Sequence, residues 1–100
     1  MVTYYAAMGK YRRLELRSPD PSANTYLIFA LIIYAILDGI ENRLELPAPT
    51  DINLYKADVN TLANFKQLPG NLKSACAIAA NSNFIKRNIP DTILDIYCNK

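Results

Sequence analysis

The sequence predicts a mostly α-helical fold with a short amino-terminal β-strand segment, an α+β arrangement. Alternating charged and apolar residues indicate the strand, while a continuous apolar run at 26–37 and helical spacing after residue 71 indicate helices. One hundred residues suffice for only one small domain. We therefore expect a single partial domain over residues 1–100, with a strand and turn at 9–20, a buried helix at 21–44, a loop at 45–70 and a helical part at 71–98.

The predicted strand carries a charged face. Because successive strand side chains point to opposite faces, Arg13, Glu15 and Arg17 share one face, and Leu14 and Leu16 share the other. Neighbours on the charged face lie roughly 6.5–7 Å apart. Such a row of cation, carboxylate and cation is suited to binding a polyanion, a metal ion and a carboxylate side by side. The alternative is a solvated face on which Glu15 simply neutralises the arginines.

The helix that follows has a clear start signal. Asp20 or Ser22 is the expected N-cap, and Pro21 suits the first turn. The apolar run at 26–37 is too short for a membrane span, which needs about 20 apolar residues. A helix that is apolar all round is usually buried, so we expect residues 21–44 to pack on several sides in the parent protein and to expose an apolar surface in the chain alone.

The remainder is predicted to be a punctuated loop and then short helices. Prolines and glycine break residues 45–70, with one short helical turn expected at 59–65. Asn71 is the expected cap of the next helix, Ser82 that of a short turn, and a final helix starts between 88 and 91. The predicted apolar faces of the two longer helices are Leu72, Ala75, Cys76 and Ala79, and then Ile93, Leu94, Ile96 and Tyr97.

Composition excludes several classes of site. The chain has no histidine, so it has neither an imidazole ligand nor a Cys/His zinc set. Its three glycines cannot form a phosphate-binding loop, and its net charge of +2 is scattered, which argues against a nucleic-acid interface. Cys76 and Cys98 lie far from any Cys-x-x-Cys spacing. We expect free thiols in a reducing cytoplasm, with no disulfide and no membrane partner.

Several segments carry a family resemblance. Residues 12–24 read Arg-Arg-Leu-Glu-Leu-Arg-Ser-Pro-Asp-Pro-Ser-Ala-Asn. They are followed by blocks at 37–42, 51–55, 68–72 and 89–97. Together these resemble the carboxy-terminal part of class I bacterial glutamine synthetases, over essentially residues 9–98. The chain is thus expected to be a partial piece of that family's catalytic domain.

The resemblance implies a ligase that joins ammonia to glutamate through γ-glutamyl phosphate, using ATP with Mg²⁺ or Mn²⁺. By position, Arg17 would hold the glutamate carboxylate and Glu15 would be a metal ligand. Arg13 would stabilise the phosphates, and Lys10 would be a weaker phosphate contact. These roles suit the residue types, because guanidinium forks onto carboxylate or phosphate and these metals prefer carboxylate oxygen.

The resemblance also implies partners and limits. The parent enzyme would be a homo-oligomer, a dodecamer, whose metal sites need further glutamates and a histidine. One glutamate cannot hold a catalytic metal tightly, so we expect the chain alone to be inactive and to bind no cofactor tightly. Whether the nucleophile is ammonia or another amine stays open. The alternative function is a non-enzymatic helical interaction module, or a truncated remnant, that associates with intact subunits through residues 26–37.

Two departures from the family pattern concern specific residues. Thr25 stands where family members usually have proline. Tyr55 lies in an Asn-Leu-Tyr sequence whose tyrosine is the adenylylation site of one regulated subclass, which makes it a regulatory candidate. The residues that follow, Lys56-Ala57-Asp58-Val59, differ from the acidic sequence of regulated members. The alternative is an ordinary packing or surface tyrosine.

Overall fold

The computed structural model describes residue 10 and residues 14–99. The chain divides into two compact units, residues 1–42 and residues 43–100. Five helices are present in the described residues: α1 Thr25–Glu41, α2 Val59–Leu62, α3 Leu72–Asn81, α4 Asn83–Asn88 and α5 Asp91–Cys98. The predicted mostly helical class is confirmed. Residues 14–99 contain no regular strand, and residues 9 and 11–13 of the predicted strand and turn lie outside the described part, so the strand stays a prediction.

Helix α1 begins later than predicted. Its N-cap is Asn24, whose side chain accepts a hydrogen bond from the Leu27 N–H at 3.1 Å. The predicted cap at Asp20 or Ser22 is therefore wrong. Residues 20–23 instead form a β-turn closed by the Ala23 N–H donating to the Asp20 carbonyl at 3.0 Å. Pro21 takes the second turn position, which its fixed φ favours.

The same helix ends at Glu41 rather than at residue 44. The Asn42 side-chain amide donates to the Asp38 carbonyl at 2.9 Å and to the Asp38 carboxylate at 3.0 Å. Arg43 follows with φ 49°. That left-handed conformation directs the chain out of the helix, and it is one that L-residues with side chains adopt at a cost.

Helix α1 is apolar on most of its surface, yet none of its residues is buried in this structure. Tyr26 is 88% exposed, Ile40 is 68% exposed and Phe29 is 65% exposed. The burial predicted for residues 21–44 concerns the parent protein and stays a prediction, while the chain as described leaves α1 uncovered. Among the described residues of the whole chain, no apolar side chain reaches full burial.

The second unit, residues 43–100, is built around α3, which packs against both α4 and α5. Side-chain caps start three of its helices. Asp58 accepts from the Thr61 N–H at 2.7 Å for α2, Asn71 from the Ser74 N–H at 2.9 Å for α3, and Ser82 from the Ile85 N–H at 3.3 Å for α4. The caps at Asn71 and Ser82 are those that the sequence predicts.

Helix α4 ends two residues before Pro90, and α5 begins directly after that proline. Ile89 lies at φ −120°, ψ 127°, the extended conformation that a following proline favours. Pro90 is the N-cap residue of α5, and Asp91 lies in the first turn of that helix. A carboxylate in the first turn is stabilised by the positive end of the helix dipole.

The packed faces of α3 and α5 are half-buried. On α3 they are formed by Ala75, Cys76 and Ala79, three of the four predicted residues, while Leu72 is 73% exposed. On α5 the half-buried residues are Ile93, Leu94 and Cys98. The predicted face of α5 is partly wrong, because Ile96 and Tyr97 are 58% and 44% exposed.

The cap assignment of α1 gives a direct test. Replacing Asn24 by alanine removes the oxygen that accepts from Leu27, so we expect a loss of about 1 kcal/mol of helix stability. Far-UV circular dichroism during urea unfolding of the 100-residue chain measures it. Asn24→Asp should retain most of the stability. Equal losses in Asn24→Ala and Asn24→Asp would contradict the assignment.

Candidate functional site

The candidate site is the charged segment that precedes the turn at residues 20–23. Within it, the Arg17 Nε–H donates to the Glu15 carboxylate, forming an ion pair between residues two positions apart. The Arg17 side chain is 78% exposed and that of Glu15 is 35% exposed. The two groups therefore lie side by side, as expected for residues that share a strand face.

The apolar partners of this segment are largely uncovered. Leu14 is 56% exposed and Leu16 is 47% exposed. Lys10 is also exposed. Arg13 lies outside the described residues. Of the four residues assigned to the site from the sequence, the structure therefore brings together Glu15 and Arg17.

The turn after this segment holds its own hydrogen-bond network. The Asp20 carboxylate accepts from the Ser22 hydroxyl at 2.5 Å and from the Ser22 N–H at 2.8 Å. Bonding to the Ser22 side chain, followed by the Ser22 backbone, lowers the pKa of Asp20 below 3.8. The Asp-Pro-Ser sequence is typical of such a turn, and this signal favours a turn over a helix cap at Asp20 or Ser22.

A metal site would need more ligands than this segment brings together. In the described part of the chain, no three acidic or cysteine side chains converge on one point. Glu15 is nevertheless a hard oxygen donor that is partly open to solvent. Its chemistry fits one ligand position for Mg²⁺ or Mn²⁺ in a set completed by other residues.

The regulatory candidate Tyr55 lies at the tip of a tight turn in the second unit. The Tyr55 N–H donates to the Asn53 side-chain oxygen at 3.1 Å, and the Lys56 N–H donates to the Asn53 carbonyl at 3.1 Å. The Tyr55 side chain is 102% exposed, so it makes no packing contact of consequence in this structure. The turn presents the phenol to solvent.

Comparison with known proteins identifies the family of this chain. The family model for the glutamine synthetase catalytic domain matches residues 1–100. This chain belongs to the glutamine synthetase family. The membership confirms the resemblance stated from the sequence, and it supports the mostly helical piece of a catalytic domain as the fold assignment. No solved structure matches the chain.

Three curated relatives are named glutamine synthetase. The Thermotoga maritima protein is 52% identical over 69% of this chain and 16% of its own length. The Sulfolobus acidocaldarius protein is 39% identical over 94% of this chain and 20% of its own length. The Staphylococcus epidermidis protein is 34% identical over 99% of this chain and 23% of its own length. The chain thus spans about a fifth of these relatives.

None of the helices in the described residues has the length and hydropathy to cross a bilayer.

The Asp20 turn has a defined pH dependence. Because its pKa is lowered in the folded turn, the contribution of Asp20 to stability is present above pH 3.8 and is lost as pH falls through the folded pKa. NMR titration of the Asp20 carboxyl should give a pKa below 3.8. Ser22→Ala should move this pKa back towards that value, and Ser18→Ala should leave it unchanged. An identical Asp20 pKa in the wild-type chain and Ser22→Ala would contradict the turn network.

Proposed function

We propose that this chain is the carboxy-terminal part of a glutamine synthetase catalytic domain, contributing side chains to ATP-dependent ligation of ammonia to glutamate through γ-glutamyl phosphate. The observation that carries the proposal is the family match over residues 1–100. The pairing of Glu15 with Arg17 supports it locally, since a carboxylate and a guanidinium stand together at the positions the family pattern assigns to metal and substrate.

In this proposal Arg17 binds the carboxylate of substrate glutamate. Its guanidinium can fork onto two carboxylate oxygens, which fixes the orientation of the substrate as well as its position. Glu15, the present partner of Arg17, is easily replaced by the substrate carboxylate. An exposed ion pair contributes roughly 0–1 kcal/mol, and Arg17 is 78% exposed, so replacing Glu15 by substrate carries little cost.

Glu15 would ligate a divalent metal at the nucleotide side of the site. A bound Mg²⁺ or Mn²⁺ offsets the negative charge of the transferring phosphoryl group. Arg13 and Lys10 would add positive charge to the phosphates, Arg13 as a fork and Lys10 as a point charge. The further ligands and the ammonia site would come from other parts of the enzyme, arranged in a homo-oligomer, so we expect no catalysis by the chain alone.

The location proposed for this enzyme is the cytoplasm. Cys76 and Cys98 are both free thiols in the structure. Two cysteines in 100 residues do not form the disulfide framework that small domains of oxidising compartments use, which favours this location.

A chimeric enzyme tests the active-site proposal. The region of the Sulfolobus acidocaldarius glutamine synthetase that matches this chain over 97 residues can be replaced by the present sequence. In an active chimera, Arg17→Ala should raise KM for glutamate and lower kcat/KM about 10²-fold or more, because one charge-assisted contact is lost. Glu15→Gln should lower kcat to a similar extent and weaken the dependence of the rate on metal concentration.

The matched control is Arg12→Ala, which removes a guanidinium that the strand pattern places on the opposite face. It should leave both kinetic constants within about twofold of the chimera. Wild-type kinetics in both Arg17→Ala and Glu15→Gln would overturn the site assignment. An inactive chimera would show that this sequence does not contribute a working site to a glutamine synthetase.

A second candidate function is association with intact subunits through α1. The exposed aromatic and aliphatic surface of that helix favours it, because large exposed apolar patches mark interaction sites. A pull-down with the intact Sulfolobus acidocaldarius enzyme distinguishes the two candidates. Capture of the separate chain that is lost in Ile33→Asp would support the interaction module, and no capture together with an active chimera would support the catalytic piece.

Tyr55 is proposed as an adenylylation site of the same enzyme, and its full exposure at a turn tip supports access for a modifying enzyme. We expect the intact mass of the protein isolated under nitrogen excess to rise by one adenylyl group. Tyr55→Phe should abolish the increase, whereas Tyr34→Phe, a change in the middle of α1, should not. An unmodified wild-type protein under these conditions would contradict the proposal.

A further inference from the structure

The two cysteines of the chain lie on the packed faces of neighbouring helices. Cys76 belongs to the half-buried face of α3, between Ala75 and Ala79 in sequence, and Cys98 belongs to that of α5. Alanine side chains are small, so they let the α5 backbone approach α3 closely at this point. Leu94 and Cys98 are four residues apart, which places both on the side of α5 that faces α3.

The contact between the two helices brings the thiol groups together. Cys76 Sγ lies 4.0 Å from the backbone carbonyl oxygen of Tyr97, the residue that directly precedes Cys98. Both cysteines are free and half-buried, so solutes can reach them. Hydrogen bonding to the Cys76 side chain, ahead of desolvation, raises the pKa of the Cys98 thiol, an effect that requires the two side chains to be neighbours.

We propose that Cys76 and Cys98 are a redox-active pair that forms a reversible disulfide between α3 and α5 when the protein meets a low-molecular-weight disulfide. This inference does not depend on the catalytic role proposed above. The two sulfur atoms are not bonded to each other in the packed helices. A disulfide that forms and breaks in response to the thiol pool is typical of intracellular redox control.

The chemistry proceeds in two exchanges. The Cys76 thiolate attacks one sulfur of the small disulfide, a new S–S bond forms, and the first small thiolate leaves. Cys98 then loses its proton to solvent and attacks Cys76 Sγ, and the second small thiolate leaves as the protein disulfide forms. Two protein thiols are oxidised and one small disulfide is reduced to two thiols.

The order of these exchanges follows from the environment of Cys98. Its pKa is raised first by hydrogen bonding to the Cys76 side chain, then by desolvation, and further by the charges of Cys76 and Asp95. The two causes that involve Cys76 are removed once Cys76 is held in a mixed disulfide, whereas desolvation and the Asp95 charge remain. Cys98 therefore ionises more easily after the first exchange than before it, which favours Cys76 as the attacking thiol and Cys98 as the resolving thiol.

Oxidised glutathione is the probe for the test. The full 100-residue chain is equilibrated with mixtures of oxidised and reduced glutathione, and the products are identified by intact mass and by mapping of linked peptides. We expect a monomer lacking two hydrogen atoms, with Cys76 joined to Cys98. Its equilibrium constant should be at least about tenfold higher in buffer than in concentrated urea, because helix packing raises the effective concentration of the thiols.

Variants locate the effect. Cys76→Ser and Cys98→Ser should each stop at one bound glutathione. Ala79→Arg, on the half-buried face of α3, should reduce the native equilibrium constant towards its value in urea, whereas Ala80→Arg, on the exposed face, should not. Glutathione on both cysteines without a cross-link, a disulfide-linked dimer as the main product, or equal constants in buffer and urea would each overturn the proposal.

Discussion

The uncovered apolar surface of α1 is the main physical constraint on residues 14–42. Folding must offset roughly 1–2 kcal/mol of backbone entropy per ordered residue, mainly by burial at about 25 cal/mol per Å². No residue of α1 is buried, so this helix gains little of that burial from the chain as described. Its boundaries are instead set locally, by the Asn24 cap and by the left-handed Arg43. Local signals place the helix, and contacts with further apolar surface would be needed to stabilise it fully.

The charged segment depends on the same helix. Glu15 and Arg17 precede the turn at 20–23, and that turn leads directly into the Asn24 cap. A stable α1 therefore fixes the position of the turn, and with it the end of the segment that carries the ion pair. The pair itself is exposed and adds little stability, so it does not hold the segment in place. Because the pair is exposed, its carboxylate and its guanidinium can each exchange the present partner for another ligand.

The sequence predicted local features better than tertiary ones. Asn71 and Ser82 are caps because each cap bond involves a backbone N–H only three residues away. Asp20 was assigned wrongly because its carboxylate can serve either a helix start or a turn, and Ser22 satisfies it in the turn. On α5, apolar spacing could not decide between Tyr97 and Cys98, since the direction of the packed face is set by α3 and not by α5 alone.

Membership of the glutamine synthetase family and possession of an active site are separate properties here. The family match covers the whole chain, yet the chain spans about a fifth of the relatives' length. Catalysis by phosphoryl transfer depends on positioning several charged groups around one reacting centre. An enzyme that lacks some of these groups therefore loses most of its rate enhancement. Glu15 and Arg17 have the right chemistry for two of those groups. The role proposed for them would therefore depend on the geometry of the other ligands, whereas the packing that brings Cys76 close to Cys98 lies entirely within α3 and α5.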